Sequence, residues 1–304
     1  MGLFRKILDK LKGDRVVPKE DAPESEVSPF AALLAEEVVE DQPQDSAVSF
    51  DPDSFQFQAE RVPRTTVGLY YPAGGIFLIR HPEDNRAGLI CQFGPQNAKL
   101  RPIAGDWNGD GLHGIGLYDA EIGAFHLRER QAGGPPDHQF LFGAVASGLI
   151  PLVGDWNGDG VQSVGLYDPA RSAFLLTNDL NPGDAELAFH FGPANQGWLP
   201  IAGDWNGDGT QSVGLYDPEN GLFLLRNRLD DGWDVDYQFN FGPKHSNMLP
   251  LAGDWEGTGA CSVGLYDPES GSFHLRLTGE GETEKVFTFG PKNLEAWPFS
   301  VVWV

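Results

Sequence analysis

The chain has 304 residues, of which 44 are acidic and 21 are basic, so its formal net charge at pH 7 is −23. Because such a surface repels a phosphate backbone, the composition argues against nucleic-acid binding. Hydrophobic residues make up 40% of the chain, enough to bury a sizeable core. The 39 glycines and 23 prolines follow no Gly-X-Y period, which predicts many tight turns between short strands.

The same sequence predicts a cytoplasmic protein that associates at most peripherally with membranes. No run of about 20 apolar residues is present, which argues against a membrane-spanning helix. The first residues, MGLFRKILDKLKG, carry charges every few positions and lack the apolar core of a secretory signal. The two cysteines, Cys91 and Cys261, stand at non-equivalent places in the repeat described below, so we expect free thiols.

Residues 1–13 predict an amphipathic targeting helix with one apolar and one basic face. The apolar face consists of Leu3, Phe4, Ile7, Leu8 and Leu11, and the basic face of Arg5, Lys6, Lys10 and Lys12. Three roles remain open for this helix at this point. It could bind at a membrane surface, dock in the groove of a protein partner, or pack against the rest of the chain.

Residues 14–60 predict an acidic, mostly disordered linker, because they are polar, charged and contain proline. A short helix is expected within it near residues 29–39. Ser28 and Pro29 form a typical helix start there, and one side of the helix carries Phe30, Leu33, Leu34 and Val38. An arm of this kind joined to a folded domain at residues 61–304 is a layout suited to targeting.

Three sequence markers recur with one period through the remainder of the chain. The string VGLY or IGLY begins at positions 67, 115, 164, 213 and 263, and GDW begins at positions 105, 154, 203 and 253. An FG pair ends at positions 94, 143, 192, 242 and 290. Since all three keep a spacing close to 49 residues, the chain contains five copies of one structural unit.

Each unit predicts four short strands. In the third copy, the extended runs are LIPLVGDW, SVGLYD, SAFLLTN and ELAFHFG, separated by Gly, Pro, Asp or Asn. Four strands repeated five times predict an all-β, five-bladed β-propeller, with a β-solenoid as the structural alternative. We label the strands of a unit A, B, C and D, with A before the acidic turn.

The strand count also predicts how the ring closes. Strands B, C and D occur five times, but strand A precedes only four GDW strings. The C-terminal segment PFSVVWV matches the missing strand, because Pro298 and Trp303 align with the Pro and Trp of LPIAGDW. We therefore expect the last strand to pair with the strand around Val67 and to complete the first blade.

The turns after strand A carry the chemistry of a calcium site. Copies two to four read DWNGDG, which places oxygen side chains at positions 1, 3 and 5 and glycine at position 6, as Ca²⁺ loops do. The candidate ligands are Asp106, Asn108, Asp110, Asp155, Asn157, Asp159, Ser163, Asp204, Asn206, Asp208 and Ser212. The backbone carbonyls of Leu112, Val161 and Thr210 could add one oxygen each.

Two observations limit the expected affinity to a modest value and the number of sites to two or three. Position 12, where an EF-hand has a bidentate Glu, is a leucine in all three copies. The last copy reads DWEGTG and lacks the second Asp, so we expect little or no binding there. The alternative interpretation is that DWNGDG is only a hydrogen-bonded Asx turn that holds a hairpin.

The succession FG, LPIAGDWNGDG, SVGLYDP and GLFLLRN resembles the FG-GAP/VCBS family of calcium-loop β-propeller repeats over residues 65–304. The resemblance implies one blade per repeat, Ca²⁺ in the A–B loop, and roles in adhesion or ligand binding. The chain departs from the family at position 9, where integrin-type repeats often have Asp. Most members of the family are extracellular, whereas this sequence shows no export signal.

The remaining polar and aromatic residues point to a binding protein rather than an enzyme. The tryptophans beside the acidic turns are expected to pack the blades, while Trp198 and Trp233 lie outside that register and are candidates for an exposed contact. No Ser/His/Asp order and no histidine metal spacing stand out. We predict a non-enzymatic scaffold that binds a protein partner through a propeller face, with a lectin-like, carbohydrate-binding propeller as the alternative.

Overall fold

The structure is a computed structural model that describes residues 64–84, 86–145, 148–180, 183–278, 283–292 and 294–303. The predicted targeting helix and linker therefore lie outside the described residues. Nowhere in the described segments is there a helix with the length and apolarity that a membrane crossing needs.

Twenty strands in the described residues form five antiparallel sheets of four strands, each of which is one blade of a five-bladed β-propeller. Blade 1 contains β1 (Arg64–Tyr71), β2 (Ile76–Arg80), β3 (Ala87–Gln92) and the last strand, β20 (Trp297–Trp303). Blade 2 contains β4 (Arg101–Gly105), β5 (Gly114–Asp119), β6 (Ala124–Arg128) and β7 (His138–Leu141). Blade 3 contains β8 (Ile150–Gly154), β9 (Ser163–Asp168), β10 (Ala173–Leu176) and β11 (Leu187–His190). Blade 4 contains β12 (Leu199–Gly203), β13 (Ser212–Asp217), β14 (Leu222–Leu225) and β15 (Tyr237–Asn240). Blade 5 contains β16 (Leu249–Gly253), β17 (Ser262–Asp267), β18 (Ser272–Arg276) and β19 (Glu284–Thr288).

The strand order within each blade places strand A innermost. The inner strands β4, β8, β12, β16 and β20 contact one another in that order, and β20 contacts β4, so they form a closed ring around a central channel. The predicted propeller and its four strands per repeat are therefore confirmed.

The predicted closure is also confirmed. Strand β20 pairs antiparallel with β1, with Pro298 opposite Leu69 and Ser300 opposite Val67. The side chain of Phe299 is buried in the core of this blade and packs edge-on against Phe77 at a centroid distance of 5.4 Å. The first strand and the last strand of the repeat region thus belong to one sheet.

A column of three aromatic rings fills blades 2 to 5, whereas in blade 1 Cys91 stands in place of the ring on strand D. In blade 3, Tyr167 of strand B lies 4.7 Å from Phe174 of strand C, which stacks on Phe189 of strand D at 5.4 Å between centroids. These three rings are almost fully buried. Because buried aromatic rings contribute large apolar areas, the column explains why Tyr and Phe recur at these positions.

Neighbouring blades are joined by the FG pair and the GLY string. Gly192 has φ of +87°, and a Cβ added to it would lie 2.2 Å from Cδ1 of Leu215 in the next blade. The same glycine-to-leucine contact occurs at all five blade interfaces. Glycine is needed here because the backbone adopts a left-handed conformation and because the leucine occupies the space of a side chain.

At three blade interfaces, an arginine of one blade also lies over a phenylalanine ring of the preceding blade. The guanidinium carbon of Arg276 lies 4.3 Å from the centroid of Phe239, and that of Arg80 lies 4.3 Å from Phe287. Arg226, which is fully buried, lies 5.1 Å from Phe191. Such cation–π contacts contribute most when they are shielded from water, as they are between two sheets.

Candidate functional site

The acidic turns lie side by side at one end of the ring. Each connects the inner strand of a blade to its second strand, and neighbouring turns are in contact. A Cβ on Gly109 of blade 2 would lie 3.0 Å from Cγ2 of Val161 in blade 3, and one on Gly158 would lie 2.9 Å from Oγ1 of Thr210 in blade 4. The turns of blades 2 to 5 therefore form an arc around one mouth of the channel.

The first aspartate of each turn organises the backbone. The carboxylate of Asp155 accepts hydrogen bonds from the N–H groups of Gly158 at 2.7 Å and Asp159 at 3.2 Å through Oδ1, and from Gly160 at 2.8 Å through Oδ2. This side chain is only 6% exposed. Asp106 and Asp204 make the same three bonds in their turns.

The second and third side chains converge on the outer side of the turn. Asn157 Nδ2 donates to Asp159 Oδ2 at 2.9 Å, and Asp159 Oδ1 accepts from the N–H of Val161 at 2.8 Å. The pKa of Asp159 is lowered by this backbone hydrogen bond and by the Asn157 amide, so the carboxylate is ionised at neutral pH. Asp208 in the next turn has the same arrangement, and its pKa is lowered in the same way.

The oxygen atoms of one turn fit the chemistry of a hard cation, but incompletely. A carboxylate has about four lone-pair sites, of which the first aspartate uses three for backbone N–H groups. One further carboxylate, one amide oxygen and one carbonyl oxygen remain, whereas Ca²⁺ takes six to eight oxygens. Among the described residues, no group of three or more His, Cys, Asp and Glu side chains is close enough to hold a metal. An ion bound here would need the Asn amide to turn its oxygen inward and several waters.

The two serines predicted at position 9 are directed into the blade. The hydroxyl of Ser163 donates to the backbone carbonyl of Thr177 and is buried, and Ser212 is buried at the equivalent position of blade 4. The structure thus brings together the Asp, Asn and Asp of each turn but separates the serines from them.

The turn of blade 5 keeps its shape with different residues. Asp254 accepts from the N–H of Thr258 at 2.9 Å and of Gly259 at 2.8 Å, while Glu256 reaches the backbone N–H of Thr278 at 2.6 Å. The first aspartate therefore maintains the turn in a copy that has Thr258 in place of the second aspartate. The aspartate at position 1 is therefore sufficient to hold the turn, and the Asn and Asp at positions 3 and 5 of the other copies are not needed for its shape.

Two glutamines that were not singled out from the sequence connect neighbouring turns. The side-chain oxygen of Gln211 accepts from the N–H of Asp155 at 2.7 Å, and its own N–H donates to the Asp155 carbonyl at 2.8 Å. Gln162 makes the same pair of bonds to Asp106 and also donates from Nε2 to Gln211 Oε1 at 2.8 Å. The recurrence of Gln two residues before the VGL string in copies three and four was the available signal.

His113 stands at the equivalent position of blade 2 and was also not singled out. Its ring Nδ1 is buried and has no hydrogen-bond partner among the described residues. Burial lowers the pKa of this imidazole to about 4, because the charged form would lose its hydration. His113 is therefore neutral at pH 7.

The tryptophans confirm the packing interpretation. Trp156 is 3% exposed, and its Nε1 donates to the backbone carbonyl of Val164 at 3.4 Å. Trp233, predicted to be an exposed contact, is 69% exposed, whereas Trp198 is half-buried against the core of blade 3. Both cysteines are free, as predicted.

Blade 5 contains a hydrogen-bonded series of side chains with the order of a hydrolytic triad. His274 lies 3.2 Å through Nε2 from the Ser272 hydroxyl and 2.7 Å through Nδ1 from Glu284 Oε1. However, Ser272 and His274 belong to a central strand that pairs with a neighbour on both sides. Because its N–H groups serve the sheet and Ser270, the strand leaves no backbone donor to stabilise an oxyanion.

The predicted targeting residues, Leu3 to Lys12, lie outside the described part of the chain, and the structure adds nothing to that prediction. No family model matches this chain, and no curated protein is similar enough to count as a relative.

Two of the solved structures that match this chain are as follows. One is a protein of unknown function from Bacteroides caccae, at 11% identity and a TM-score of 0.41, covering 74% of this chain and 73% of that one. The other is Kluyvelomyces marxianus Hsv2, at 12% identity and a TM-score of 0.35, covering 71% and 64%. With both TM-scores below 0.5, neither likeness bears on function.

Proposed function

We propose that this protein is a non-enzymatic binding or scaffold propeller whose acidic turns are weak Ca²⁺ loops of the FG-GAP/VCBS type. The observation that carries the proposal is the arc of three DWNGDG turns, each with two carboxylates and an amide gathered around its tip, at one mouth of the channel. Bound cations would neutralise part of this acidic face and stiffen it for a protein partner.

Substitution of the second aspartate of a turn tests the Ca²⁺ site more specifically than removal of the first aspartate does. Asp155→Ala would break three backbone hydrogen bonds and destabilise the turn without any metal. In contrast, Asp159→Asn keeps an oxygen acceptor for the Val161 N–H, and it removes the charge together with the acceptor of the exposed Asn157 amide. The double variant Asp159→Asn, Asp208→Asn therefore tests the ion site, and Glu121→Gln with Asp184→Asn, both exposed and outside the turns, is its control.

We expect millimolar Ca²⁺ to raise the melting temperature of the parent and control proteins by about 2–4 °C, which corresponds to about 1 kcal/mol of binding energy in a domain of this size. The double variant should show a smaller rise. An identical response in the double variant, or no difference between Ca²⁺ and chelator in the parent, would show that the turns are purely structural.

The N-terminal segment is proposed to position the propeller, at an anionic membrane surface or in a partner's groove. The apolar and basic faces predicted for residues 1–13 support this role, since the strongly acidic remainder would be repelled by anionic lipid. Sedimentation of the full-length protein with anionic liposomes, lost in Phe4→Asp with Leu8→Asp, would support the membrane role. A parent protein that stays in the supernatant at low salt would point to a protein groove.

The non-enzymatic part of the proposal can be tested at Ser272. Because both neighbours of its strand occupy the backbone N–H groups, we expect no stabilisation of an oxyanion at Ser272 and no turnover through its hydroxyl. Hydrolysis of p-nitrophenyl acetate should therefore be the same for the parent and Ser272→Ala. A loss of turnover in the variant would favour a hydrolase.

A lectin-like role is the second candidate, and the exposure of Trp233 favours it. The indole is 69% exposed, and Tyr237 on the outer strand of the same blade is 41% exposed. Exposed aromatic faces of this kind stack on sugar rings. Saturable binding on a glycan array that Trp233→Ala abolishes would place carbohydrate binding ahead of the scaffold role.

A further inference from the structure

The central channel has a second mouth, at the end of the ring away from the acidic turns. The inner strands begin there, and their first residues form a ring around the opening. This ring consists of Arg101, Ile150, Leu199, Leu249 and Trp297, and the next layer consists of Pro102, Pro151, Pro200, Pro250 and Pro298. Together they enclose a cavity of about 310 Å³.

The proline layer forms the floor of this cavity. The same five prolines also line a second cavity of about 190 Å³, which extends toward the acidic turns and is lined there by polar side chains such as His113 and Gln211. The prolines thus lie between the two cavities. A ligand in the larger cavity would meet a floor of pyrrolidine rings.

Arg101 breaks the apolar character of the ring. Of the described residues that line the cavity, it is the one that carries a charge, and its guanidinium carbon lies 3.5 Å from the centroid of the Trp297 ring. Stacking on the indole fixes the plane of the guanidinium and leaves its N–H groups at the edge. No acceptor in the described part of the chain hydrogen-bonds to them.

The electrostatic surroundings of Arg101 favour an anion of low charge. Partial burial lowers the pKa of Arg101, while the exposed carboxylate of Glu295 acts in the opposite direction, and the guanidinium remains protonated. One cation with a carboxylate nearby can attract a single negative charge but would not hold a polyphosphate. A planar carboxylate matches the fork of N–H donors on a guanidinium.

We propose that this mouth binds a small monocarboxylate with an apolar body. Its carboxylate accepts hydrogen bonds from the Arg101 guanidinium, and its apolar part contacts the isoleucine, leucine and indole side chains of the ring. A volume of about 310 Å³ is at the lower end of the range for ligand pockets, about 300–1,000 Å³, which limits the ligand to a compact molecule.

Matched probes test this proposal on the full-length protein. Phenylacetate and hexanoate carry the charge, and phenylacetamide and hexanamide have nearly the same shape without it. Titration would be followed by calorimetry and by the indole N–H resonance that disappears in Trp297→Leu. We expect both carboxylates to bind and the amides to bind at least about tenfold more weakly, because a hydrogen bond to a charged group is lost.

The repeat supplies substitutions that the fold already accepts. Leucine stands at the equivalent position in blades 4 and 5, so Arg101→Leu should fold and should weaken carboxylate binding by about tenfold or more. Ile150→Leu in the same ring is the control, with little change expected. Glu295→Gln should strengthen binding, since it removes a competing carboxylate.

Two results would overturn the proposal. One is equal affinity of the parent and Arg101→Leu for the carboxylates, and the other is absence of binding by both carboxylates at millimolar concentration. Neither result depends on the acidic turns, because those turns lie at the opposite mouth. The proposed Ca²⁺ binding is tested with different variants and by a different measurement.

Discussion

Gly290 lies directly against Leu69, so that the last FG pair of the chain contacts the first GLY string. A Cβ at Gly290 would lie 2.6 Å from Leu69 Cδ1, and the glycine has φ of +84°. This contact repeats, between blades 5 and 1, the one that joins every other pair of neighbouring blades. The two most regular sequence markers are therefore the two sides of a single interface.

The first prediction concerns that interface. Gly192→Ala should lower the free energy of unfolding by about 2–4 kcal/mol, because alanine is strained at positive φ and its methyl group would collide with Leu215. Gly183→Ala is the control, since no atom lies within 4 Å of the added Cβ. Denaturant unfolding measures both, and equal stability of the two variants would contradict the steric argument.

The second prediction concerns ring closure by β20. Phe299→Ala should cost about 3–5 kcal/mol of unfolding free energy, because the ring is buried and packs on Phe77. Deletion of residues 297–304 should have a larger effect and produce aggregation, since β1 and β4 would both lose a neighbour. A truncated protein that remains monomeric with an unchanged melting temperature would show that closure is dispensable.

The third prediction concerns the glutamine that joins two turns. Gln211→Ala should lower the free energy of unfolding by about 1–3 kcal/mol, because the Asp155 N–H and the Gln162 amide both lose their acceptor. Gln196→Ala, in an exposed loop, should be close to neutral. If thermal unfolding gives the same midpoint for both variants, the inter-turn hydrogen bonds do not contribute to stability.

The fourth prediction concerns pH. The pKa of His113 is lowered to about 4 in the folded state, whereas the unfolded chain has the ordinary value near 6.5. Between these two pH values the unfolded state binds more protons than the folded state. The free energy of unfolding is therefore not reduced by His113 above pH 6.5, and it falls as the pH decreases toward 4. Between pH 7 and pH 5, His113 should account for a loss of about 2 kcal/mol.

The variant His113→Gln isolates this contribution from the other histidines. Glutamine occupies the equivalent position in blades 3 and 4, so the substitution should be tolerated there. The difference in unfolding free energy between pH 7 and pH 5 should be smaller in the variant than in the parent. Equal differences in the two proteins would mean that the imidazole is hydrated in the folded state.

The sequence alone was sufficient to predict the architecture of the repeat region. The recurrence of GLY, GDW and FG gave the number of blades, and the missing inner strand identified PFSVVWV as the segment that closes the ring. These conclusions rest on local patterns, because strand periodicity and turn residues are determined within a few positions of the chain. The turn residues Asp155, Asn157 and Asp159 were likewise found from their spacing.

Only the tertiary structure decided which side chains meet across blades. The pairing of Gly290 with Leu69, the two hydrogen bonds between Gln211 and Asp155, and the stacking of Arg101 on Trp297 all join residues from different repeats. The repeat pattern shows that these positions are equivalent but does not show the distances between them. Those distances depend on how five twisted sheets close around one axis, because closure brings the inner strands into a ring and places their first residues around a common opening.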